Sequence, residues 1–340
     1  MATATSFRRL GRTGLHVSPF ALGAMMFGAN GNPDRDACIR MVHTALDAGI
    51  NVVDTADIYN AGESEEIVGA ALAGRRDDVI LATKAFRPMG EDVNRQGVSR
   101  RWLTRAVDES LARLGTDWID IFQIHRYDHE TDQDETLGAL SDLIAAGKIR
   151  YAGTSTYPAQ ALVEAQWISE RRGRERYATE QPPYSLLNRG IEADVLPVCR
   201  DYGIGVLSWS PLAGGWLTRR GRDVARSSRA ERLPQLFELE SDGNRRKLAA
   251  LDALHELAGE AGIPLLELAL AFVVNHPAVS CAIIGPRTPE QLEEQLPAMA
   301  RVLSPDVLDR IDAIVPPGTV FNPADFGWDN PALAAGVRRR

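Results

Sequence analysis

Four ionisable residues in the first 125 stand at the ends of short apolar runs. Asp54 closes residues 51–54, Tyr59 lies five residues further on, Lys84 closes residues 79–84, and His125 follows residues 118–124. Runs so apolar do not tolerate a charge within them, so each group belongs at a strand end or in the loop beyond it. Taken singly, each has a structural use: Asp54 can cap a turn, Tyr59 can pack, Lys84 can snorkel, and His125 can be a satisfied histidine. Taken together they suit proton transfer. A tyrosine with an ordinary pKa of about 10 is a sluggish donor unless a nearby cation stabilises its phenolate. Lys84 is such a cation, and Asp54 supplies the counter-charge that keeps a buried lysine protonated. The imidazole of His125 can bond a substrate oxygen and orient it. The set fits protonation of a developing alkoxide, which implies a hydride source and hence a nicotinamide. No residue among them makes a good nucleophile and no carboxylate pair suggests glycoside hydrolysis. His43, His125, His129 and His276 lack metal-ligand spacing, so no metal is expected.

The elements that must hold these groups alternate strand and helix, which predicts a parallel sheet. After an opening segment, residues 7–17, strands are expected at 20–23, 51–54, 79–84, 118–124, 149–153, 177–181, 205–209 and 280–284. Helices are expected at 34–47, 63–73, 99–114, 134–146, 159–171, 192–202, 245–261 and 265–275, from Pro289 onward, and at 305–313. Ser99 reads as an N-cap, and Gly49 and Gly115 as helix-ending glycines. Residues 218–244, after the seventh strand, are too long and polar for an ordinary connection and read as a lid. Eight strands each followed by helix predict an α/β fold, a (β/α)8 TIM barrel with a short N-terminal β-hairpin and extra C-terminal helices. One domain is expected over residues 1–340, with a C-terminal tail at 316–340. An open doubly wound sheet is the alternative, weakened because no strand is followed by GxGxxG; the segment from Gly203 to Gly205 reads as a helix ending. A barrel carries its chemistry at the C-terminal strand ends, where the four residues fall.

The chain has 340 residues, 44% hydrophobic and 25% charged, with a formal net charge of -8. That acidity argues against nucleic-acid or membrane-surface partners, which require a basic face. Arg171, Arg172, Arg174 and Arg176, and Arg338 to Arg340, read as solvated faces or tail. Cys38, Cys199 and Cys281 are odd in number and far apart, so neither disulfides nor zinc is expected, and a reducing cytoplasm is. No apolar run reaches about 18 residues, and no signal-peptide core is seen near the N-terminus. A homo-oligomer is left open.

Specific motifs give the chain a resemblance to the aldo-keto reductases. They are GINVVDTADIY at 49–59, GESEEIVG at 62–69, ATK at 82–84, DIFQIH at 120–125 and GKIRYAG at 147–153. The resemblance spans nearly the whole chain and implies that Asp54, Tyr59, Lys84 and His125 form the family's catalytic tetrad. It implies that Ser155, Thr156 and Gln181 hold the nicotinamide carboxamide, Thr156 offering a hydroxyl where an amide is usual. Trp209 would stack on the nicotinamide, followed by Ser210, Pro211, Leu212, Gly214 and Leu217 along the pyrophosphate, with Ala24, Met25 and Asp54 beside the cofactor. Residues 284–295, with Ile284, Gly285, Arg287, Gln291 and Gln295, resemble the adenosine-phosphate region. There Arg287 would pair with a 2′-phosphate and Gln295 would reach the adenine, although Gln291 stands where many relatives have arginine. The cofactor so implied is NADPH, and the substrate a small carbonyl compound contacted by Met26, Phe27, Phe86, Arg126 and Tyr127. The insertion at 218–244 and the tail at 321–328 look like the bacterial branch near the potassium-channel β subunits. A nucleotide-sensing module with weak residual reduction is therefore a second expectation, and a ketosugar reductase a third.

Overall fold

A computed structural model describes residues 7–226 and 228–327, with residue 336. Two short antiparallel strands, β1 (Arg8–Arg9) and β2 (His16–Val17), form the opening hairpin. Eight parallel strands then close a barrel: β3 (Phe20–Gly23), β4 (Val52–Asp54), β5 (Ile80–Ala85), β6 (Ile119–Ile124), β7 (Ile149–Ser155), β8 (Tyr177–Gln181), β9 (Gly205–Ser208) and β10 (Cys281–Ile284). Closure brings β10 against β3, with Ala282 opposite Phe20. The helices α1 (Arg35–Asp47), α2 (Glu63–Leu72), α3 (Arg100–Leu114), α4 (Gln133–Ala145), α5 (Ala159–Arg172) and α6 (Val195–Tyr202) follow β3 to β8 in turn. After β9 come α7 (Ser228–Arg232), α8 (Asp242–Ala261) and α9 (Leu265–Asn275); after β10 come α10 (Pro289–Gln295) and α11 (Pro305–Ile314). The expected (β/α)8 barrel with its hairpin is the observed architecture.

Period-two alternation divides the strand residues between two cores. Ala21, Val52, Ala82, Ile121, Leu207 and Cys281 fill the barrel, and Leu10 and Val17 of the hairpin plug its N-terminal end. Their neighbours Leu22, Val53, Leu81, Phe122, Val206 and Ala282 pack outward on the helices. The plug fits closely: Gly11, at φ +55°, lies so near β9 that a Cβ there would be 2.4 Å from the Gly203 carbonyl oxygen. Local signals set the helix ends. The Asp34 side chain accepts from the Ala37 N–H at 2.9 Å to start α1, and Ser99 accepts from the Trp102 N–H to start α3. Along α3, Trp102, Leu103, Ala106, Val107, Ser110 and Leu114 recur at helical spacing and are all buried.

Four expectations are corrected. The sixth helix starts at Val195, not 192, because the Asp194 side chain takes the Val195 N–H and leaves Gly190–Glu192 as a separate turn. Strand β7 runs on to Ser155, paired with Gln181. Helix α8 begins at Asp242, since Ser241 caps it. Residues 218–244, expected as one long polar loop, are broken up by short elements. They contain the turns Gly221–Arg226 and Pro234–Phe237 and α7, and bury Val224, Ala230 and Phe237, the last stacked on Trp216. The tail beyond α11 continues to a turn at Pro323–Phe326; Trp328 and Arg338 to Arg340 lie outside the described residues. Among the described residues no single helix is long and apolar enough to cross a membrane. All three cysteines are buried free thiols.

Candidate active site

Along the inward-facing rows, the positions above Val52, Ala82 and Ile121 are Asp54, Lys84 and Gln123, so the apolar filling gives way to a polar layer at the C-terminal end. Lys84 is wholly buried there. Its ammonium donates to Asp54 Oδ1 at 2.6 Å and to the Thr55 carbonyl at 2.7 Å, and lies 5.2 Å from the centre of the Tyr59 ring. The other Asp54 oxygen accepts from Gln181 Nε2 at 2.8 Å, with Gln123 Nε2 at 3.4 Å. Tyr59 opens a turn, Tyr59–Gly62, in which Asn60 and Ala61 take φ of 51° and 55°. The backbone before it is tied to β5, with Thr55 N–H on the Ala82 carbonyl and Asp57 N–H on that of Lys84. His125, beyond the end of β6, presents its ring edge-on to Tyr59, 5.7 Å between centroids. The four residues expected to act together therefore do meet, with Tyr59 half-buried and the others buried.

Burial governs the electrostatics. Desolvation pulls the Lys84 pKa down, but Asp54 and then Tyr59 more than offset it, leaving the ammonium more strongly protonated than an ordinary lysine. His125 is pushed well below the usual histidine range by burial and by Lys84, Arg126 and Arg87, so its ring is neutral at physiological pH. Asp57 is pushed up to about 8, mainly by burial and then by Glu65, against weaker pulls from the Ile58 N–H, Arg113 and Lys84. Neither Asp57 oxygen accepts a well-formed hydrogen bond from the described residues.

A model of the aldo/keto reductase family matches residues 19–316. The chain belongs to the aldo/keto reductase family. Relatives span almost its full length. An uncharacterized oxidoreductase of Bacillus subtilis, YrpG, is 37% identical over 94% of this chain and 98% of its own. A probable voltage-gated potassium channel subunit beta of Oryza sativa is 34% identical over 91% and 96%. The versiconal hemiacetal acetate reductase of Aspergillus parasiticus is 33% identical over 90% and 96%. Membership makes this protein an oxidoreductase of a family that acts on small carbonyl compounds with a nicotinamide cofactor.

In this aldo/keto reductase the residues expected to contact a cofactor fall into two groups. At the catalytic end, Ser155 donates to the Gln181 carbonyl at 3.0 Å, and Thr156 Oγ1 accepts from the Trp209 indole N–H at 3.3 Å. Thr156 sits at φ 57°, a left-handed conformation rare for a β-branched residue and natural for asparagine. Gln181, expected on the carboxamide, spends its amide nitrogen on Asp54. Ser210, at φ 59°, accepts from the Gly214 N–H at 3.0 Å; Pro211 is buried and Leu212 half-buried. Ala24 is buried, bonded to the Asp54 carbonyl, and Met25 is exposed. At the far end, Gln291 accepts from the Arg287 N–H at 2.8 Å, and Arg287 donates to the Gly31 carbonyl at 3.1 Å. Gly285 is exposed, Ile284 and Gln295 are buried, and Gln295 Oε1 has no partner among the described residues.

Several of the residues expected to make contacts are packed. Leu217 and Phe27 are buried in the core, Phe27 because the chain turns it inward while its carbonyl accepts from Asn60 at 2.6 Å. Phe86 is half-buried against the core, and Tyr127 packs edge-on against His129 and Tyr157. Met26 is almost buried under Arg232 of α7. Arg126 lies beside the site, its guanidinium 5.9 Å from the centre of the Trp209 ring. Gln123 was not foreseen. Its signal was present: a glutamine two residues before His125, on the inward phase of an otherwise apolar strand.

Proposed function

We propose that this aldo/keto reductase reduces aldehydes and ketones to alcohols with NADPH, Tyr59 supplying the proton. The observation that carries the reading is the fully buried Lys84, held between Asp54 and Tyr59. Its ammonium lies 5.2 Å from the centre of the Tyr59 ring, placed to compensate the negative charge that develops on Tyr59 Oη as the proton is passed on. Asp54 keeps that charge in place, and Gln181 and Gln123 fix Asp54. Neutral His125 donates or accepts a hydrogen bond without competing for the proton, so it orients a carbonyl oxygen toward the Tyr59 hydroxyl.

The residues present fit a nicotinamide dinucleotide. The half-exposed Trp209 offers a face for an aromatic ring, and the unpartnered Gln295 Oε1 offers a buried acceptor for an exocyclic amine. Arg287, exposed just before α10, suits a 2′-phosphate and supports NADPH over NADH. When bound, the nicotinamide supplies the hydride. The chain's own groups hold the carbonyl, exclude water and deliver the proton at Tyr59 Oη. Tyr59→Phe should lower reduction of 4-nitrobenzaldehyde by about 10²–10⁴-fold while NADPH still binds, measured by fluorescence; near-normal turnover would remove Tyr59 from the mechanism. A carbonyl panel run with NADPH and NADH separates a reductase from a nucleotide sensor, which would turn over every substrate slowly.

A further inference from the structure

Four cations are buried among the described residues: Lys84, Arg126, Arg189 and Lys247. Three carry their own carboxylates. Lys84 has Asp54, Arg189 has Glu192 and Asp312, and Lys247 has Asp325. Arg126, 8% exposed, has no carboxylate partner among the described residues. One of its terminal nitrogens donates to the His125 carbonyl at 2.5 Å and lies 3.4 Å from Ser155 Oγ, and its Nε is buried without a partner. The buried acid that acts on it, Glu180, has committed its oxygens to Thr154 and to the Tyr157 N–H. A buried guanidinium left this way is costly unless something anionic completes it.

The position of Arg126 says what that anion belongs to. The expected phosphate-binding groups, around Arg287, follow β10. Arg126 follows β6, next in sequence to His125, beside Ser155 and over the edge of Trp209, which is the end where a carbonyl would react. Burial and the exposed Arg87 hold its pKa down to about 10, and Tyr59 acts on it in the opposite sense, so the reacting groups and this guanidinium share one electrostatic field. At the other side, the absent Cβ of Gly327 would lie 3.8 Å from its second terminal nitrogen and 3.2 Å from Trp209, so the tail comes close to both.

We propose that Arg126 is the substrate-recognition residue of this site, and that the preferred substrates are aldehydes or ketones carrying a carboxylate near the reacting carbonyl. The proposal rests on the reading of Tyr59 as donor to a carbonyl. A planar guanidinium with a free edge receives a carboxylate through paired N–H donors, and the anion supplies the counter-charge the fold withholds. Arg87 at the rim adds a long-range pull on the same anion.

The test compares isosteres that differ in charge: 2-, 3- and 4-carboxybenzaldehyde, each against the nitrobenzaldehyde of the same substitution, with NADPH. In the wild type, kcat/KM should favour the carboxylate in at least one pair. In Arg126→Gln that carboxylate-to-nitro ratio should fall by about 10- to 100-fold, and Arg126→Lys should restore part of it. A wild-type ratio at or below one in all three pairs overturns the proposal, as does an Arg126→Gln enzyme that loses both members of a pair equally, the behaviour of a cofactor or structural residue. Failure to reduce any of the six aldehydes would instead overturn the reductase reading beneath it.

Discussion

At the N-terminal end of the barrel, Arg76 pairs with Asp120 at 2.7 Å, donates to the carbonyls of Val79 and Trp118, and stacks on the Trp118 ring at 4.4 Å. At the C-terminal end, Arg126 is more deeply buried and has only a neighbouring carbonyl and a distant hydroxyl. The contrast extends beyond these two. The Asp, Arg and His side chains with a buried polar atom lacking a partner among the described residues are Asp57, Arg95, His125 and Arg126, and all follow C-terminal strand ends. So do the described non-glycine residues at positive φ: Asn60, Ala61, Thr156, Ser210 and Ala213. One end satisfies itself and seals the core. The other holds backbone strain and buried polar atoms without partners, which a bound molecule can satisfy.

Breaking the best-satisfied contact at the active end should have the largest effect. Lys84→Met should cost about 10²–10⁴-fold in kcat/KM and, by stranding Asp54, about 3–5 kcal/mol of stability. Pairing it with Asp54→Asn should recover much of the melting temperature and none of the activity; recovery of activity would mean that Lys84 acts only structurally. At the sealed end, Gly11→Ala should cost about 3 kcal/mol, because the new Cβ meets the Gly203 carbonyl at a strained φ. Its kcat per folded molecule should be unchanged, and a lowered kcat would show that the two ends are coupled.

Asp57 sharpens the comparison through pH. Its folded pKa, about 8, lies above the ordinary carboxyl value of 3.8. Below pH 4 both states hold the proton and the residue carries no penalty. As pH rises to about 8 the unfolded chain ionises first, so stability is lost across that window. Asp57→Asn should therefore gain on the wild type as pH climbs from 5, the gap levelling off above about pH 8. A difference in melting temperature that stays flat with pH would refute this account. The smallest effect is expected at Thr156. Thr156→Asn places a residue suited to positive φ there and should stabilise by about 1 kcal/mol, while an amide in that position should lower the KM for NADPH. A destabilised variant would show that the Trp209 hydrogen bond outweighs the strain.

Much of this was legible in sequence where one local rule sufficed. Strand periodicity, the caps Asp34 and Ser99, and glycines such as Gly115 placed nearly every element, and the four candidate residues stood out because each ends or follows an apolar run. What was not legible depends on which way a side chain turns. Phe27 and Tyr127 lie in loops, where no period fixes direction, so they looked available and are packed. Gln123 lies in a strand, where the period does fix direction, but an uncharged side chain raised no alarm. Residues 218–244 looked like a polar loop because their few buried anchors, Val224, Ala230 and Phe237, are spaced by short turns and follow neither strand nor helix rhythm. Arg126 was noticed as a rim residue. Its lack of a counter-ion is a fact of three dimensions, visible only beside Lys84, Arg189 and Lys247.

The pairing of β3 with β10 has a consequence for how the protein is made. The strands that close the ring end at Gly23 and Ile284, so during synthesis at about 5–20 residues per second the first waits for the last. Until then the free edges of β3 and of β9 offer unpaired backbone to any other chain. The nascent protein is thus open to misassociation until β10 has been made.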